Sequence, residues 1–275
     1  MNITRRTHLK ALSGALTGAF VPAWAAAIDF NTYTDEQKEN LLKNGAVISA
    51  EDIGHGVTKP VKVKLSLNGV EHSAQVQVID KELPDFFPQG GGGPIPMHDS
   101  WKYNVAAYRI DRLLDLRMVP PNIPRPYKGK PAAISWWVDD VMFEEAERVK
   151  KDIAPPNPED FARQRALGMV FDELIINIDR NLANLLITKS WKVALIDHTR
   201  SFTAYHGIRN EANLTRCSRA LLEKMKTLTV ASIAAAVGPQ LTNAEVRAVI
   251  GRRDKIVDFF AREVKTKGEE NVLFS

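Results

Sequence analysis

Residues 157–202 constrain this 275-residue chain more than any other stretch. Asn157-Pro158-Glu159-Asp160 opens a helix, because Asn caps it, Pro fits the first helical position and the two acids complement its positive end. Leu167, Val170, Phe171, Leu174 and Ile175 then recur at helical spacing. A polar loop follows, Asn177-Ile178-Asp179-Arg180-Asn181-Leu182-Ala183-Asn184, in which Asp179 and Asn184 stand five residues apart. Two apolar runs, Leu185-Leu186-Ile187 and Val193-Ala194-Leu195-Ile196, flank Lys189-Ser190-Trp191-Lys192 and read as a hairpin, directly followed by Asp197. The order is therefore helix, polar loop, hairpin, acid.

Phosphoryl transfer asks a protein mainly to position reactants and stabilise charge, with a carboxylate at the nucleophile and oxygen ligands for the cations that bridge the phosphates. Asp179 suits the first role, and Asn184 and Asp197 the second. The run Val170-Phe171-Asp172-Glu173-Leu174-Ile175-Ile176-Asn177-Ile178-Asp179-Arg180, with Asn184-Leu185-Leu186-Ile187 and Ile196-Asp197 ending at Phe202, resembles the atypical kinases. These include type II phosphatidylinositol 4-kinases, the Golgi secretory-pathway kinases and the HipA toxin kinase. The resemblance is strongest over residues 165–202 and thinner over 53–140. It implies an α+β, bilobal protein-kinase-like fold, with a small antiparallel-sheet N-lobe over 28–138 and a mostly helical C-lobe over 139–275. It also implies a nucleotide cleft taking Mg2+ or Mn2+ with ATP or another nucleotide. The acceptor stays open between protein, lipid and small-molecule hydroxyl, as does a transfer of the nucleotide itself.

In the expected N-lobe, Ile53-Gly54-His55-Gly56-Val57-Thr58 is a glycine turn. Gly54 and Gly56 either let backbone N–H groups approach phosphates or form an ordinary tight turn. Val61, Val63 and Leu65 alternate with Lys62, Lys64 and Ser66, Asn68-Gly69 supplies a type I′ turn, and Ala74, Val76 and Val78 alternate with Gln75 and Gln77. A working kinase holds the α and β phosphates with a lysine on its third N-lobe strand, oriented by a glutamate of the next helix. The resemblance puts Gln77 at the lysine position and Asn104 at the glutamate position. The two amides can hydrogen-bond each other without charge, so an exported pseudokinase acting as a binding or regulatory module stands as the alternative to an enzyme. A two-residue hairpin sets Lys62 opposite Gln75 and diagonal to Gln77 on one face, which makes Lys62 the substitute cation, with Lys59 second. The competing reading makes Lys62 and Lys64 a solvated strand face.

Elsewhere, residues 28–50 are polar and read as loosely packed surface chain. Phe86 to Pro96, with its glycine run, reads as a flexible insertion without packed secondary structure. Asp99 or Ser100 caps a helix with Tyr103, Ala107, Ile110 and Leu114 on one face. Ala132 to Val138 reads as a buried strand leading to the hinge, whose Trp136 and Trp137 either flank an adenine or belong to the core. After Phe202 the chain reads as helical, with a capping box at Thr242-Asn243-Ala244-Glu245 and an amphipathic run to near Phe260.

Residues 1–27 read as a targeting segment. Thr4-Arg5-Arg6-Thr7-His8-Leu9-Lys10 resembles a twin-arginine export signal and precedes an apolar stretch, Ala11 to Trp24, that is short of the ~20 residues a membrane span needs and contains Pro22. The expectation is a periplasmic or secreted protein with no transmembrane helix in its mature chain. Arg5, Arg6 and Lys10 supply three of the four net positive charges, so the alkaline balance gives no reason to expect nucleic acid. Cys217 is the only cysteine, which excludes an internal disulfide. The six histidines show no metal-ligand spacing, which argues against a zinc site.

Overall fold

The structure is a computed structural model that describes residues 28–53, 60–87 and 93–275. Of the described residues, 28–32 fall outside the compact unit Tyr33–Ser275, in which all the elements below lie.

That unit begins with helix α1 (Asp35–Asn44) and strand β1 (Ala46–Asp52), where the polarity of residues 28–50 pointed to loose surface chain. Thr34 and Gln37 form a reciprocal capping box, and Leu41 and Leu42 bury against the sheet side of the unit. Two apolar residues in ten make a faint helical stripe, and β1 is a sheet edge exposed along its whole length, so neither element carries a clear periodic signal.

Strands β2 (Val61–Leu67) and β3 (Val70–Gln77) form the expected hairpin, with Asn68 at φ 50° and Gly69 at φ 82° making the turn. Strands β4 (Asp80–Phe86) and β5 (Ile95–Ser100) pair with each other. The flexible insertion therefore includes ladder-paired residues at both ends, and its glycines at 90–92 lie outside the described residues. Helix α2 (Trp101–Leu113) follows, capped by the Ser100 side chain, and then β6 (Asn122–Pro124) and β7 (Ala133–Trp136). The main sheet runs β1-β2-β3-β7-β6, antiparallel throughout.

Strand β8 (Val141–Glu144), helices α3 (Glu145–Lys150) and α4 (Pro158–Ile175), and strands β9 (Leu185–Thr188) and β10 (Val193–Leu195) come next, with β8, β9 and β10 in a small second sheet. After Phe202 the expected helices begin only at Arg219, because residues 203–218 hold just a 3-10 turn and a short strand. They are α5 (Arg219–Thr227), α6 (Val230–Val237), α7 (Asn243–Lys267), which extends beyond the expected end near Phe260, and the short α8 (Glu269–Val272). The Thr242–Glu245 capping box of α7 is present as read.

One apolar core joins Tyr103, Ala107 and Ile110 of α2, and Leu114 at its C-cap, to Phe171, Leu174 and Ile175 of α4, to Ile187 and Leu195 of the hairpin and to Phe259 and Phe260 of α7. Each Leu, Ile and Phe among them contributes roughly 1.5–3 kcal/mol on burial. The packing fixes α4 against the β9–β10 hairpin, and so fixes both ends of the loop between them. Arg252, fully buried in α7, donates from Nε to Leu174 O at 2.7 Å and from Nη1 to Thr203 O at 3.2 Å. It thereby ties the end of α4 to the segment after Phe202. Cys217 is buried too, which pushes its thiol up to about 12.

Candidate active site

Helix α4 ends at Ile176, a buried residue held left-handed at φ 51°. A β-branched side chain resists that conformation, at a cost of order 1–3 kcal/mol. Asp197 at φ 54° and Phe202 at φ 57° share it. Three backbone bonds hold this geometry: Asn177 N to Asp172 O at 2.8 Å, Phe202 N to Ile175 O at 2.8 Å and Ile178 N to Arg200 O at 3.1 Å. The loop after α4 and the segment after β10 are thus bound side by side.

Arg180 is the clamp between them. Its Nε donates to Asp172 Oδ2 at 2.8 Å, its Nη1 to Asn184 O and Ile196 O at 2.8 Å each, and its Nη2 to Asp172 Oδ1 at 3.0 Å and to His198 Nε2 at 2.9 Å. A guanidinium only donates, so His198 Nε2 accepts and the ring is neutral. Complete burial, with the Arg180 charge beside it, holds the His198 pKa well below its ordinary value. Sequence reading gave Arg180 and His198 no role, because their partners lie on separate elements.

Asp179 is 45% exposed, and its Oδ2 lies 3.2 Å from Arg200 Nη1. Asn184 turns its amide back on Asp179 O at 3.5 Å. Asp197 Oδ1 accepts from Thr199 Oγ1 at 3.1 Å and from Gln77 Nε2 at 3.5 Å. Burial raises the Asp197 pKa and the Asp99 charge adds to it, against the opposing hydrogen bonds from Thr199 and Gln77.

Gln77 and Asn104 meet. Asn104 Nδ2 donates to Gln77 Oε1, while Asn104 Oδ1 accepts the His198 backbone N–H at 2.7 Å. A continuous polar chain therefore runs from α2 through β3 to Asp197. Lys62 stands opposite Gln75, in the register the hairpin requires. Its ammonium lies 3.1 Å from Glu51 Oε1 and 4.7 Å from the centre of the Trp137 ring. Glu51 is its direct cross-strand partner on β1, and opposite charges so placed attract. Trp136 is buried, stacked on His72 at 3.6 Å, and donates to Asp139 Oδ2 at 2.9 Å. Gly54, Gly56 and Lys59 lie outside the described residues.

Arg200 and Asp99 were not read as site residues. Asp99, fully buried next to the cap of α2, accepts from Arg200 Nε at 3.0 Å through Oδ2. Adjacent to this pair, Ser100 N donates to Thr199 O at 2.8 Å. The only sequence signal was the identity of Arg200, three residues after Asp197, because its partner is 101 positions away.

This arrangement of sheet, helix, loop and hairpin has counterparts among solved structures. The structure of hydra Fam20 with sugar aligns over 87% of this chain and 91% of that one, at a TM-score of 0.65 and 12% identity. The chain adopts a kinase-like fold. The Golgi casein kinase with Mn/ADP bound aligns over 88% of this chain and 79% of that one, at 0.57 and 13% identity. The Helicobacter pylori proinflammatory kinase CtkA aligns over 82% and 98%, at 0.52 and 11% identity. No family model and no curated protein matches the sequence. Among the described residues, no helix is long and apolar enough to cross a membrane, and no three His, Cys, Asp or Glu side chains form a metal cluster.

Proposed function

We propose that this chain is a divergent, metal-dependent phosphotransferase that moves the terminal phosphoryl group of a nucleoside triphosphate to a hydroxyl of a protein, lipid or small molecule. The observation that carries the proposal is the polar network that runs from Asp197 through the Gln77–Asn104 pair, His198 and Arg180 to Asn184 and the Asp179 backbone, in a chain with a kinase-like fold. The donor set fits the metal, because the Asp197 carboxylate and the Asn184 amide oxygen are hard oxygen ligands of the kind that Mg2+ and Mn2+ take. Manganese and ADP in the Golgi casein kinase are in keeping with that fit.

In this reading Asn184 and Asp197 would hold the metal, which would neutralise negative charge on the nucleotide's phosphates. Gln77 and Thr199 restrain the Asp197 carboxylate through its Oδ1. Asp179 orients the acceptor hydroxyl and takes its proton as the oxygen attacks the terminal phosphorus. The bond from phosphorus to the bridging oxygen breaks, and the nucleoside diphosphate leaves with the electron pair. The lobes divide near residue 138, and the twin-arginine-like segment takes the protein out of the cytoplasm.

A silent binding module is the second reading, favoured by the uncharged Gln77–Asn104 pair at the positions where the resemblance expects a lysine and a glutamate. Thermal unfolding with ATP and Mg2+ or Mn2+ separates the two. At 100 times its dissociation constant the metal nucleotide should stabilise the fold by ~2.7 kcal/mol, and Asp197→Ala should abolish the shift. No shift with either metal would leave the binding module.

A further inference from the structure

The geometry points to Arg200 as the phosphate-facing cation of this site, its guanidinium meeting the terminal phosphoryl group beside Asp179. This inference rests on the phosphotransferase reading above. A kinase-like site without its lysine still has to meet the charge of the phosphates, and Gln77 brings none. Lys62, the candidate that strand register favours, is engaged by Glu51 and the Trp137 ring.

Burial lowers the Arg200 pKa, but Arg200 stands among the carboxylates of Asp99, Asp179 and Asp197, which together outweigh burial and raise it. Its parts divide the work. Nε is held at 3.0 Å by Asp99, Nη1 reaches Asp179 at 3.2 Å, and Nη2 makes no hydrogen bond among the described residues. The backbone is pinned as well, since Arg200 O accepts from Ile178 N at 3.1 Å and the neighbouring Thr199 O accepts from Ser100 N at 2.8 Å. The side chain is 25% exposed, so the fork is anchored at its stem and open at its tip.

Charge balance makes the same point. Asp99 is fully buried, and Arg200 is its only ion-pair partner among the described residues, so one charge cancels the other and both stay in place when ligand arrives. Asp179 is 45% exposed and does not need Arg200 for compensation. When a metal nucleotide binds, the free edge of the guanidinium can leave Asp179 for phosphoryl oxygens, which its planar fork matches in pairs. That exchange frees Asp179 for the acceptor hydroxyl. Asp99 is the positioning residue that keeps the fork aimed.

The test is calorimetric titration of ATP with Mn2+, and separately of adenosine, into the whole protein and its variants. Arg200→Gln should weaken ATP–Mn2+ binding at least tenfold and leave adenosine binding unchanged, with Arg200→Lys retaining part of the affinity. Because Arg200→Gln leaves Asp99 buried and unpaired, the double variant Asp99→Asn with Arg200→Gln removes both charges and must show the same selective loss. Equal ATP–Mn2+ affinity in wild type and the double variant overturns the proposal while the phosphotransferase reading stands. Tighter binding in the variants also overturns it, making Arg200 a latch on Asp179. Loss of binding in Lys62→Ala but not in Arg200→Gln would give the role to Lys62. If wild type binds neither ligand, the phosphotransferase reading falls and Arg200 falls with it.

Discussion

Asn104→Ala would cut the polar chain to Asp197 at its most buried link. Asn104 is 2% exposed, and its amide serves two buried residues, the side chain of Gln77 (3% exposed) and the backbone N–H of His198 (1% exposed). Each buried polar group left without a partner costs about 1–3 kcal/mol. The two together give a loss of roughly 2–6 kcal/mol, a large share of the ~5–15 kcal/mol that holds a typical domain. A unit of this size loses about 2–4 °C in Tm per kcal/mol, so the variant should melt roughly 4–24 °C below wild type. Equilibrium urea unfolding gives the free energy directly. A cycle with Gln77→Leu isolates the amide pair, because each single change strands the other amide while the double change strands only the His198 N–H. A coupling energy of ~1–2 kcal/mol is expected. A loss below ~1 kcal/mol for Asn104→Ala, or additive single changes, would refute the idea that the pair is a closed bridge between α2, β3 and Asp197.

Two further predictions follow from other parts of the chain. His198 is buried and neutral, with its pKa below the ordinary 6.5. The unfolded state therefore binds the extra proton first, stability is full above pH 6.5, and it is lost as pH falls toward the folded-state pKa. The slope is at most ~1.4 kcal/mol per pH unit, and His198→Gln should remove that slope from urea unfolding measured between pH 5.5 and 7.5. The export proposal rests on the paired arginines and the length of the apolar stretch: Arg5→Lys with Arg6→Lys should leave the precursor in the cytoplasm on fractionation, and an unchanged periplasmic yield would reject it.

Local sequence determined those parts of this protein whose signals lie within a few residues of each other. The capped helix from Asn157, the Asn68-Gly69 hairpin, the β9–β10 hairpin and the Thr242 capping box are all set by turn chemistry, capping and periodicity. The order of Asp179, Asn184 and Asp197 along the loop and hairpin is local as well, and so a candidate site could be proposed from the chain alone. Tertiary structure decided what depends on distant partners. Helix α1 and strand β1 exist because the sheet offers them a face and an edge, which a polar stretch cannot announce by its own pattern. Lys62 was readable to its register, but Glu51 and Trp137 decided where its charge goes. Arg200 owes its aim to Asp99, 101 residues away, and Arg180 owes its function to carbonyls on two segments that only the packed core brings together. A side chain's charge is written in the sequence; its direction is set by whichever partner the fold delivers, and burial makes that choice binding because an unpaired charge or amide in the interior costs more than the alternatives.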